Sequence, residues 1–88
     1  MCTMISESTA ITGSARGQAG WFQVTQANVG YDHATQGQLD HALLVDFVNP
    51  RLGLGARVAV ELDIASGKAL IAQLQGAIEA AERSGFTE

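Results

Sequence analysis

The side chains here that could do acid–base or metal chemistry cluster in two short runs, Tyr31-Asp32-His33 and Asp40-His41, with Asp46 a little further on. If the chain reverses between the runs, Asp32 and His33 face Asp40 and His41 across the neck of a hairpin. Imidazole and carboxylate groups ligate zinc and related ions at about 2.0–2.2 Å, and a His–Asp pair can act as a general base near neutral pH. The spacing matches no established metal motif, and polar residues at a hairpin neck are ordinarily there because water reaches them. The sequence therefore assigns no catalytic residue, no metal and no cofactor.

Asp46 interrupts an apolar run, and a carboxylate in that position needs water or a partner. An ion pair with Arg57 on the next strand is the expected solution; anchoring a ligand's amine or hydroxyl is the alternative. Trp21, Phe22, Tyr31 and Phe47 could line a small-molecule pocket, although aromatics at strand spacing equally build a core or an interface. The candidate ligand-binding residues are thus Trp21, Tyr31, Asp32, His33, Asp40, His41 and Asp46. Cys2 has neither basic neighbours nor a helix start to depress its pKa, and reads as a passive thiol. The glycines at 13, 17 and 20 do not sit between a strand and a helix, so they form no phosphate loop.

The elements that must position these groups follow from periodicity. Residues 3–12 alternate weakly, with Ile5, Thr9 and Ile11 on one side and Ser6, Ser8 and Thr12 on the other, which predicts an edge strand. Gly13 to Gly20 reads as a turn-rich connection. Residues 21–31 are rich in aromatic and β-branched types and form a second strand; a change of apolar parity near Gln26 predicts a β-bulge there. Residues 32–40, with Gly37, read as a hairpin loop. Residues 41–49 are apolar on both parities apart from Asp46, as in a central strand, and Pro50 ends them. In residues 56–63, Val58, Val60 and Leu62 alternate with polar or small residues, the period of a half-buried strand.

From Ile64 the period becomes helical. Leu70, Ile71, Leu74, Ala77, Ile78 and Ala81 form one stripe over a helix spanning 64–84. Asp63 or Ser66 can cap its start, and Gly85 can stop it. The expected fold is a single α+β domain over residues 1–88: a four-stranded antiparallel meander, β-β-β-β-α, with the C-terminal helix packed on one face.

Composition sets the class. Hydrophobic residues make up 47% and charged residues 16% of the 88, which favours a packed globule over a disordered chain. The five basic residues are scattered, and the net charge is -4, the opposite of the clustered positive charge that phosphate backbones require. A single cysteine cannot make an internal disulfide, no apolar run reaches membrane-spanning length, and no signal-peptide pattern opens the chain. A cytoplasmic protein without nucleic-acid or membrane partners is expected. One helix can cover only one side of the sheet, while strand 41–49 is apolar on both. An uncovered apolar face is poorly tolerated by a small monomer, so a homodimer is expected, joined by sheet faces or by edge strands.

Several segments carry a resemblance: Cys2-Thr3-Met4-Ile5, Gly20-Trp21, Tyr31-Asp32-His33, His41 through Phe47, and Ala56 through Leu62. Together they resemble a family of short actinobacterial proteins, a domain of unknown function, over nearly the whole chain. The resemblance carries no catalytic role to any residue. By analogy alone it leaves room for an accessory role in natural-product biosynthesis or self-protection. Three functions follow: a non-enzymatic homodimeric binding or interaction module, which is preferred; a small-ligand carrier or sequestering protein; and a small metal-dependent or acid–base enzyme using His33, His41 and the nearby aspartates.

Overall fold

The computed structural model describes residues 5–35 and 40–85; Cys2, Thr3 and Met4 of the expected first strand and Gly37 of the expected loop lie outside them. Four strands, β1 (Ile5–Gly17), β2 (Gly20–His33), β3 (His41–Val48) and β4 (Arg57–Leu62), are followed by one helix, α1 (Ile64–Ser84), with a 3-10 turn at Pro50–Leu52 between β3 and β4. The strands form one antiparallel sheet in the order β1-β2-β3-β4, an α+β fold. β1 is an edge and β3 is central, as their polar and apolar patterns predict.

Two local readings are corrected. The stretch from Gly13 is strand, not connection: it pairs with β2 as far as Gly17 opposite Gly20, leaving only Gln18 and Ala19 to turn the chain. Backbone pairing does not need large side chains, and small residues here make room for large ones. A Cβ placed on Gly17 would lie 3.3 Å from Cε1 of the Phe22 ring. At the turn Gly20 takes φ 120°, a conformation that favours glycine. The irregularity expected in β2 near Gln26 occurs at that level, but the extra residue is in β1. Ala10 pairs with Gln26 and Gly13 with Val24, so Ile11 and Thr12 together oppose Thr25. The β2–β3 register runs unbroken from Gln26–Val48 to His33–His41.

The register sorts side chains onto two faces. Val29, Tyr31, His33, His41, Leu43, Val45, Phe47, Val58, Val60 and Leu62 share one, hereafter the apolar face. Asn28, Asp32, Leu44, Asp46, Arg57 and Glu61 share the other. The buried apolar residues are small, namely Val24, Ala27, Ala42 and Ala56, and no large side chain is fully buried among the described residues.

The helix α1 follows the four strands as expected. Its limits match the periodicity, and both caps form as expected: Asp63 accepts from the Ser66 N–H at 2.7 Å, and Gly85 closes the end in the left-handed region. Its packing on the sheet is confined to one end. The helix meets the sheet at its first turn, where Gly67 is buried against Leu43. Beyond that turn the stripe is open to solvent, with Leu74 55% and Ile71 68% exposed. The approach is close enough that a Cβ at position 67 would have to displace the end of the Leu43 side chain. A straight helix of 21 residues is about 31 Å long, so touching at one end leaves most of its length unsupported.

Candidate functional site

The candidate residues separate into three places. At the open end of the apolar face, His33 stands directly opposite His41, their ring centroids 4.3 Å apart and tilted by 35°. The His41 ring also stacks on Tyr31 at 5.8 Å. Asp40 reaches the same point, its Oδ2 lying 3.3 Å from His41 Nδ1. One ligand atom from each of His33, Asp40 and His41 lies within 4.8 Å of the others, and all three residues are exposed. Three of the four residues that the sequence sets across the neck thus come together, and Asp32 does not.

Hydrogen bonds hold the neck on both sides. The Ala34 N–H donates to the Asp40 carbonyl at 3.2 Å, continuing the ladder past the last paired residues. Thr35 is fastened to β4: its N–H and its hydroxyl both donate to Glu61 Oε2, at 2.9 and 2.7 Å. Glu61 was not among the sequence candidates. Its alternation with Val60 and Leu62 marks it as facing away from the apolar side, but its reach to Thr35 depends on a loop that periodicity does not describe.

Asp32 and Asp46 lie on the opposite face. Asp32 accepts from the adjacent His33 N–H at 2.7 Å and so does not join the histidines. Asp46 accepts from Arg57 Nη2 at 2.9 Å, the expected ion pair. The two carboxylates border a shallow depression of about 160 Å³ that Ile5, Asn28, Gly30 and Leu44 also line. Gly30 is required beside it, since a Cβ there would come within 2.6 Å of the Ile5 carbonyl oxygen.

Trp21 is at the far end of β2, opposite Arg16 and 71% exposed. Twelve residues of strand separate it from His33, roughly 40 Å. It borders a second depression, of about 260 Å³, with Phe22, Leu52 and Ala56. Tyr31 and Phe47 lie elsewhere, so the four aromatics do not share one pocket in the described chain.

Near this second depression is a residue that pattern reading missed. Asn49 is 6% exposed. Its Nδ2 donates to the Gln23 carbonyl at 2.9 Å, and its Oδ1 accepts the Arg51 N–H at 3.1 Å. Its backbone N–H donates to the Ala56 carbonyl at 3.1 Å. The Asn49-Pro50 pair carried the signal, because asparagine before proline commonly caps a turn through its side chain.

The groups at the histidine cluster can hold a cation or exchange a proton. The whole-chain pattern decides the family. The family model for a family of unknown function, DUF6295, matches residues 1–87. The chain belongs to the DUF6295 family. No curated protein and no solved structure matches it. No described helix is long and apolar enough to cross a membrane.

Proposed function

We propose that this DUF6295 protein is a homodimeric, non-enzymatic binding or interaction module, in which a second copy covers the apolar face and the stripe of α1. The observation that carries this is the exposed area. The chain presents 7021 Å² of accessible surface, against about 4,900 Å² for a compact monomer of 9.2 kDa. Its radius of gyration is 14.8 Å, against about 12 Å for a compact domain of this length.

The excess is about 2,100 Å², more than the roughly 800 Å² that each partner contributes to a standard stable interface. It is also apolar in the places that matter. Leu70, Ile71, Leu74 and Ile78 on α1, and Val29 and Val60 on the sheet, are all exposed. Burying such a side chain completely from full exposure is worth about 1.5–3 kcal/mol, and these six have 36–68% of their surface still to cover. A monomer would leave both surfaces in water; two copies related by a two-fold axis can place the stripe of each helix on the apolar face of the other.

Light scattering at micromolar concentration tests the reading. The expected mass is twice 9.2 kDa, and a Leu74→Glu/Ile78→Glu variant is expected to fall to the single-chain mass with its sheet signal retained. A single-chain mass for the unaltered protein would overturn the proposal.

A further inference from the structure

We infer that His33, Asp40 and His41 form a site for one divalent transition-metal ion of the zinc type at the neck of the β2–β3 hairpin. The inference goes beyond the dimeric reading and does not rest on it.

The donor set is the first argument. Two imidazoles and one carboxylate suit zinc and its neighbours in the first transition row, whereas calcium and magnesium favour oxygen ligands alone. Three protein ligands also leave a fourth position open to water or to an incoming group, as in three-ligand zinc sites.

Geometry is the second argument. Ligand atoms around a tetrahedral zinc ion are about 3.4 Å apart, given metal–ligand bonds of about 2.0–2.2 Å. The Asp40 Oδ2 to His41 Nδ1 separation is already 3.3 Å. All three ligand atoms fall within 4.8 Å of one another, so rotation of exposed side chains is enough to close the set. The backbone does not have to move: His33 and His41 are paired in register, and the bond from Ala34 to Asp40 fixes where the Asp40 carboxylate begins.

Freedom from competing partners is the third argument. Among the described residues, the Arg57 guanidinium is engaged by Asp46 on the other face, and Asp32 is turned to its neighbour's N–H. Tyr31 stacks on the His41 ring and limits its range, which lowers the entropy lost when a metal orders it.

The test uses untagged full-length protein, dialysed to equilibrium against zinc, with cobalt(II) as a spectroscopic substitute. One zinc per chain is expected at saturation, and cobalt is expected to give visible ligand-field bands. His33→Ala, Asp40→Ala and His41→Ala should each weaken binding by at least the 10–100-fold seen when an outer-shell partner is lost. Arg16→Gln, opposite Trp21 at the far end of the sheet, should bind as the parent does, and circular dichroism checks that each variant is folded. Binding that does not saturate, an absence of cobalt bands in the parent protein, or zinc affinity that survives in the His33→Ala/His41→Ala double variant would overturn the inference. Stoichiometry is read per chain, so a metal-binding monomer would sink the dimeric reading and leave this one standing.

Discussion

At the corner built around Asn49, one small amide is bonded to β2 through Gln23 and to the following turn through Arg51, with its own N–H engaged by Ala56. Along α1, by contrast, large apolar side chains face water over most of the helix although both ends are capped. The corner is finished by residues of its own chain. The helix has all its local requirements met and its tertiary requirement unmet. Helices owe most of their stability in proteins to the packing of an apolar face, not to propensity or capping. The difference therefore separates the part of this fold that one chain completes from the part that calls for another surface.

The sharpest way to break that comparison is at the corner. Asn49→Ala would remove the side-chain partner of the Gln23 carbonyl and of the Arg51 N–H, an expected loss of two hydrogen bonds at about 0.5–1.5 kcal/mol each. Urea unfolding followed by Trp21 fluorescence measures it, and a loss no larger than that of a surface substitution would mean the corner is not the anchor described.

A smaller effect is expected at Asp46→Asn, which removes the ion pair with the half-exposed Arg57. Partly exposed pairs contribute about 0.2–1 kcal/mol and weaken with salt, so the difference from the parent should shrink between low and high ionic strength.

The smallest change concerns the helix start. Ser66, through its hydroxyl and then its N–H, holds the Asp63 carboxyl below the ordinary aspartate value. Because the folded state favours the charged form, the cap's contribution is complete above about pH 3.9, the ordinary value, and is lost as pH falls through the lowered one. Asp63→Asn keeps a capping oxygen and should flatten that acid-side loss of helicity, measured by circular dichroism. An unaltered acid profile would remove the cap from the account of what α1 supplies for itself.

Much of this fold was legible in the sequence because its period changes are clean. Alternation in Arg57–Leu62 and the helical stripe from Ile64 report backbone geometry directly, and Asp63 and Gly85 mark the helix ends with residues whose chemistry suits them. The segment Gly13–Gly17 was illegible because small residues are read as turn formers when nothing shows that an aromatic partner strand lies opposite. The helix stripe announced that a face would be covered, but a stripe carries no information on whose surface covers it. At the neck, the pairing of His33 with His41 follows from a hairpin of the right register, while the separation of Asp32 from them follows only from strand parity. Residue type alone groups Trp21 with Tyr31, whereas the length of β2 holds them far apart.

The doubled residues Ile11 and Thr12 in the outermost strand have an effect on solubility. An edge strand offers unpaired amides and carbonyls to any neighbour, and a bulge spoils the regular spacing that a newcomer would have to match. Indefinite growth of the sheet from that margin is discouraged.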